Sequence, residues 1–343
     1  MDTQRQDLFE AVTTIVDEEG LSGVVRIDID GDVAFEGAYG FSHRGLGIPP
    51  TMETQFALAS GAKGFTALTV MTLIERGELS LDTTARSLLG TDLAMIDDGV
   101  TIEHLLAHRS GIGDYLDEEL VENWDDYLMP VSVHQLATTE QYVVALEGHP
   151  MKDPPGHRFV YNNSGFVVLA LVAERATGIA FHDLVDQRVC QPAKMHDTAF
   201  LRSDALPGRA AIGYLDGEGL RTNVFHLPVR GNGDGGIYST VADIHRLWDA
   251  SFAGDIVNSN TLAQMLQPHS SVPEDRMHYG LGLWLSEALD HVSLHGFDTG
   301  AGFVSVRSIA GTTTSTVLSN QSRGAWPVSQ RIDEYLAHYR PQP

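Results

Sequence analysis

In residues 56–77, FALASGAKGFTALTVMTLIERG, one serine and one lysine stand out for what they can do together. Ser60 and Lys63 are three residues apart, a spacing that puts two side chains on one helix face with Cβ atoms about 5–6 Å apart. The rest of the stretch is apolar on all sides, with Phe65, Leu68, Val70, Met71, Leu73 and Ile74. A lysine held among such residues is desolvated, and desolvation lowers its pKa toward a neutral amine. A neutral amine can take the serine proton, whereas a guanidinium stays charged in proteins and cannot. The distinction matters in a chain with three lysines (Lys63, Lys152 and Lys194) and nineteen arginines. At a helix start, Ser60 also lies beside free backbone N–H groups and the positive end of the dipole, which stabilise an oxyanion. A capping serine followed by a solvated lysine has the same spacing, so the pair needs company before it means catalysis.

Two further segments supply candidates. In PPGHRFVYNNSGF (154–166), Tyr161 precedes a helix start and Asn163 follows two residues later. A phenol near a lysine loses its proton more easily, so Tyr161 is a candidate proton relay. The Asn163 amide carries a donor and an acceptor, suited either to a substrate carbonyl or to holding Lys63. A packed tyrosine followed by a capping asparagine is the plainer alternative. In VSLHGFDTGAGFVS (292–305), two strands flank a Gly-rich turn. A glycine-lined strand edge lets a substrate approach closely, and its N–H groups can complete an oxyanion hole. His295 and Asp298 are the polar candidates there, and a plain hairpin turn is the alternative.

The elements that must position these residues follow from periodicity. Leu8, Val12, Ile15 and Val16 recur at helical spacing over 4–18, and residues 22–29 and 32–39 alternate around DGD, a hairpin signal. From about 60 to 225 the pattern is mainly helical. Thr101 stands three residues before His104, Asn163 or Ser164 opens a helix that Gly178 ends, and Thr240 with Asp243 resembles a capping box. After 278 strands return in YGLGLWLS, HVSLHG, GAGFVSVRS and TTTSTVLSN, and WPVSQRIDEYLAHY closes the chain as a helix. Strands at both ends and helices between them predict an α+β fold, with an antiparallel sheet built from both termini and flanked by helices. The expected division is a discontinuous α/β domain, 1–60 and 226–343, and a mainly helical domain, 61–225, with the active site in the cleft between them.

Taken together, the motifs resemble the serine β-lactamase and penicillin-recognising superfamily, in its class C β-lactamase-related branch of esterases, D-aminopeptidases and DD-carboxypeptidases. The resemblance rests on Ser60-Gly-Ala-Lys63, on Tyr161-Asn162-Asn163 as the Tyr-x-Asn element, and on the region around His295-Gly296-Phe297, where the family has Lys-Thr-Gly or His-x-Gly. TIEHLLAHRSGI, DGGIYSTVADIHRLW and VLSNQSRGAWPV support it, in order, over about residues 10–340. It implies a β-lactamase-like fold and a serine hydrolase in which Ser60 forms an acyl-enzyme, with no metal or cofactor. It assigns Lys63 and Tyr161 to base and acid work. Asn163, His295, Gly296 and Phe297 fall to the substrate and the oxyanion, the latter bound by the Ser60 N–H and a backbone N–H near 297–300. In His-x-Gly the glycine stands two residues after His, whereas here Phe297 takes that place. A misplaced basic residue argues against gripping a substrate carboxylate and for a neutral ester or amide.

Composition bounds the alternatives. The chain of 343 residues carries a net charge of −24, which repels nucleic acid and anionic membrane. Its acid is spread over the sequence, as solubility requires. Cys190 is alone and reads as structural, and no signal peptide or membrane span is legible, so a cytoplasmic location is expected. His104 and His108 have a spacing that can bind zinc but lack a third ligand, and GNGDGG (231–236) reads as a loop rather than a phosphate cradle. Tyr115, Trp124 and Tyr127 are expected on one cleft wall. The leading reading is a serine hydrolase acting on carboxylic esters. The alternatives are a D-stereospecific peptidase or amidase, DD-carboxypeptidase or β-lactamase, and a non-catalytic binding module of the same fold. The partner is a small-molecule ester, amide or lactam; oligomeric state is not legible.

Overall fold

A computed structural model describes residues 3–121, 123–124, 127–129, 131–215 and 217–338. The chain opens with helix α1 (Thr3–Glu19) and the hairpin β1 (Gly23–Ile29) and β2 (Asp32–Tyr39). A short strand β3 (Phe56–Ala57) leads through a 3-10 turn, Ala59–Gly61, into α2 (Ala62–Glu75). The helical middle comprises α3 (Ala85–Leu89), α4 (Ile102–Leu106), α5 (Val143–Leu146), α6 (Asn163–Thr177) and α7 (Phe181–Val185). Then come β4 (Tyr238–Ser239), paired with β3, and α8 (Val241–Ala253) and α9 (Ser259–Met265). The last part is β5 (Ser270–Val272), β6 (Met277–Tyr279), β7 (Trp284–Ser286), β8 (His291–Asp298), β9 (Ala301–Ser308), β10 (Thr313–Ser319) and α10 (Ala325–His338).

The expected union of the two chain ends is present. One antiparallel sheet runs β2-β1-β10-β9-β8-β7-β6-β5, with β1 beside β10 from Gly23 opposite Ser319 to Ile29 opposite Thr313. Alternation divides its two faces. Val25, Ile27, Val304 and Val317 pack with Leu8, Val12, Val328 and Ile332 of α1 and α10. Val24, Leu294, Phe303 and Leu318 pack instead into the larger core built on α2, α6 and α8.

The local sequence explains the helix ends. Thr101 and His104 form a reciprocal capping box, Asn162 accepts from Gly165 N–H, and Thr240 accepts from Asp243 N–H. Gly178 closes α6 in the left-handed conformation, φ +69°. α2 and α6 are apolar all round because both are central; residues 62–73 of α2 and 163–173 of α6 are buried. Among the described residues no single helix is long and apolar enough to cross a membrane; the pair Asn163–Thr177 and Phe181–Cys190, bent by 86°, meets that test only jointly.

Candidate active site

Ser60 sits in the 3-10 turn that feeds α2. Its neighbour Ala59 holds φ +46°, a left-handed backbone that costs a residue with a Cβ roughly 1–2 kcal/mol. Such strain persists where packing over-determines it. Here β8 presses on the turn: a Cβ on Gly296 would stand 1.9 Å from Leu58 O and 3.1 Å from Gly61 N. One strand position earlier on that face, Leu294 lies against Gly64 of α2.

Lys63, in the first turn of α2, is 2% exposed. Its Nζ is 3.0 Å from Ser60 Oγ, 2.7 Å from Asn163 Oδ1 and 2.8 Å from the Asp234 carbonyl oxygen. It lies 4.8 Å from the Tyr161 ring centroid. Burial lowers its pKa from the ordinary 10.5, while Asp234, Glu118, Asp114 and Asp298 pull it back up. The structure thus brings Ser60, Lys63, Tyr161 and Asn163 together. Asn163 holds the lysine: Oδ1 accepts from Lys63, while Nδ2 donates to Leu116 O (2.9 Å) and Glu118 Oε1 (3.0 Å). Its amide is occupied in holding the lysine.

The Tyr161–Asn163 segment is fixed from below by His108. Asn162 N–H donates to His108 Nδ1 at 3.0 Å and Val160 N–H to His108 O at 2.8 Å. The imidazole packs 4.4 Å from the Tyr161 ring, and burial drives its pKa well below 6.5, so it is neutral. The His104 and His108 pair therefore has structural work: both Nδ1 atoms accept from backbone N–H groups, those of Thr101 and Asn162. Asp114 caps α6, accepting from Asn163 N (2.7 Å), Ser164 N (2.9 Å), Ser164 Oγ (3.0 Å) and Leu116 N (3.3 Å). Burial nevertheless raises its carboxyl to about 7.

Two expectations need correction. Tyr161 does not become a better acid beside Lys63. Burial, with Glu118, Asp234 and Asp114 nearby, holds its pKa well above 10, and only the Ser60 hydroxyl pulls the other way. Burial is the largest cause and the carboxylates add to it, so both favour the protonated phenol. His295 does not face the cleft either. Leu294 and Gly296 take the side toward α2, so strand alternation sends His295 to the opposite face. There it meets Trp326 of α10, with centroids 4.6 Å apart, and hydrogen-bonds Ser293 Oγ at 2.9 Å. Burial brings its pKa down to about 3, so it supplies no charge. Gly296 contributes a close backbone, and Phe297 lines the cleft at the strand end, 5.3 Å from the Trp124 ring.

Two residues missed by sequence reasoning, Asp234 and Glu118, complete the walls together with Asp298, one of its polar candidates. Asp234, from the GNGDGG loop, holds Lys63 through its carbonyl and accepts a short hydrogen bond from the Tyr115 hydroxyl through its carboxylate. Glu118 and Asp298 line the same cleft as Ser60. Tyr115, Trp124 and Tyr127 line it as expected, while residues 122, 125, 126 and 130 of that stretch lie outside the described residues. These acids are scattered through the sequence, and only the Asp298 position between Gly296 and Gly300 hinted at a role.

The protein-family model described as Beta-lactamase matches residues 8–338. The chain is 29% identical over 335 residues to Penicillin-binding protein 4* of Bacillus subtilis (strain 168), covering 92% of this chain and 71% of that protein. Over 217 residues it is 33% identical to Esterase EstB of Burkholderia gladioli, covering 59% of this chain and 52% of the esterase. Among solved structures it resembles the penicillin binding protein from Bacillus halodurans, with a TM-score of 0.89 and 36% identity over 94% of this chain and 99% of that one.

Proposed function

The chain belongs to the beta-lactamase family of serine hydrolases, and on that premise we propose that Ser60 is the nucleophile of a carboxylic-ester hydrolase that works through an acyl-enzyme. The observation that carries this reading is the 3.0 Å approach of a buried, pKa-lowered lysine to a serine hydroxyl at a helix start. Lys63 Nζ, as the free amine, takes the Ser60 proton while Oγ bonds to the ester carbonyl carbon. The carbonyl oxygen becomes an oxyanion, held by the Ser60 N–H and a backbone N–H from residues 297–300. Collapse breaks the bond to the leaving alcohol, whose oxygen receives a proton. Tyr161, kept protonated, is suited to deliver it and to recover one from the Lys63 ammonium. Water then attacks the acyl ester by the same route and regenerates Ser60. Asn163 and the Asp234 carbonyl orient the lysine.

Ester rather than peptide or lactam is favoured because the described residues that line the cleft include no arginine or lysine to bind a carboxylate, and His295 is turned away. Purified protein given a short-chain p-nitrophenyl ester, a D-amino acid amide and a chromogenic cephalosporin is expected to turn over the ester with the highest kcat/KM. Clear turnover of the amide or cephalosporin without ester hydrolysis would establish the amidase or β-lactamase reading instead.

A further inference from the structure

We propose that Phe297 and Trp124 determine substrate length. Their ring pair is a wall that closes the Ser60 cleft off from a second, larger groove. It restricts the ester to a short chain on the limb that runs toward the end of β8. The proposal rests on the reading of Ser60 as nucleophile and adds the size of the ester it accepts. Two spaces meet at these rings. One is the cleft that holds Ser60, with a volume of about 70 Å³. The other, of about 440 Å³, is lined by Tyr214, Leu215, Gln321, Arg323 and Pro327. Among the described residues, Trp124 and Phe297 alone line both.

The two rings meet edge to face, with centroids 5.3 Å apart and planes at 78°, the contact geometry of a favoured aromatic pair. Strand alternation puts Phe297 on the His295 face of β8, away from α2. At the strand end its ring stands on the edge between that face and the cleft, which is why it borders both spaces. Its register partner on β9 is Gly302, which has no side chain to share the wall. Trp124 is clipped to the same strand end, where Thr299 Oγ1 donates to Trp124 O at 3.2 Å. On the groove side the turn is tied down as well, with Gly300 N–H donating to Ser322 Oγ at 2.9 Å. A glycine at 297, as in the His-x-Gly pattern, would leave Trp124 without its partner and the two spaces continuous. With the wall in place, 70 Å³ takes about five water-sized groups at about 10–15 Å³ each, and so a chain of about four carbons.

The test uses two ester series. p-Nitrophenyl acetate, butyrate, hexanoate and octanoate lengthen the acyl limb. Ethyl, butyl and octyl acetate, followed by proton release, lengthen the alcohol limb. In unaltered protein, kcat/KM is expected to fall about tenfold or more from the C4 to the C8 member of at least one series, the discrimination a closed pocket exerts on added methylenes. In that series Phe297→Ala raises the C8-to-C4 ratio about tenfold or more. Trp124→Ala, which opens the wall from a distant part of the chain, moves the ratio in the same direction. Phe297→Tyr keeps the ring and holds the ratio within about twofold. The ratio compares two substrates on one preparation, so a loss of folded protein or of rate common to both cancels. Equal turnover of C4 and C8 esters in both series by unaltered protein overturns the wall. So does a ratio unmoved in both folded alanine variants, or one moved as far by Phe297→Tyr as by Phe297→Ala. A failure of Ser60 to react with any ester overturns the underlying hydrolase reading instead, so the two failures are distinguishable.

Discussion

Replacing Lys63 with arginine is expected to lower kcat/KM for a p-nitrophenyl ester about as far as replacing it with alanine, by roughly 10²–10⁴-fold, the usual worth of a positioned general base. The reason is protonation rather than size. Lys63 Nζ meets Ser60 Oγ, Asn163 Oδ1 and the Asp234 carbonyl, a set of acceptors that a guanidinium could also meet. A guanidinium would keep its protons and could not receive the one from Ser60. In the unaltered protein kcat/KM rises with pH as the Lys63 ammonium loses its proton. Because burial lowers that pKa from 10.5, the rise is centred below 10.5. The rising limb disappears in Lys63→Ala. Activity retained within a few-fold by Lys63→Arg would contradict the neutral-amine account.

Gly296→Ala is expected to inactivate without touching any side chain of the constellation. A Cβ at 296 lands 1.9 Å from Leu58 O, a backbone atom that cannot rotate aside. Either β8 or the Ala59–Gly61 turn must move. A shift of about 1 Å at reacting atoms costs about 10²-fold in rate, and overpacking costs about 1–3 kcal/mol of stability. Thermal unfolding should therefore show a lower Tm, and the folded fraction should acylate about 100-fold more slowly. Gly208→Ala is the control, because its Cβ would meet nothing within 4 Å and its backbone is not left-handed. Normal acylation by Gly296→Ala would mean that the strand does not set the position of Ser60.

Much of this arrangement is legible in local sequence, because local rules govern it. The Ser60–Lys63 spacing is set by helix geometry, and the caps at Thr101 and Thr240 are short-range signals that the structure uses. The joining of β1 to β10 follows from strand patterns at both ends with helices between. What escapes is set by long-range packing. His295 sits beside a glycine where a family motif suggests a basic residue, yet its face is decided by Leu294 packing on Gly64 and by Gly296 meeting Leu58. The protonation of Tyr161 depends on Glu118, Asp234 and Asp114, which no spacing rule brings together. The GNGDGG loop reads as a plain connector, but its Asp234 carbonyl reaches Lys63 and its Gly233 carbonyl accepts from Thr66 Oγ1 at 2.6 Å.

The central claim is that Ser60 receives the acyl group, and mass spectrometry of the intact protein after exposure to a fluorophosphonate tests it most directly. The expected result is one adduct per chain, mapped to Ser60 by peptide analysis and absent from a Ser60→Ala variant of unchanged Tm. Folded protein that takes up no label, or label mapped to another residue and persisting in Ser60→Ala, would contradict it.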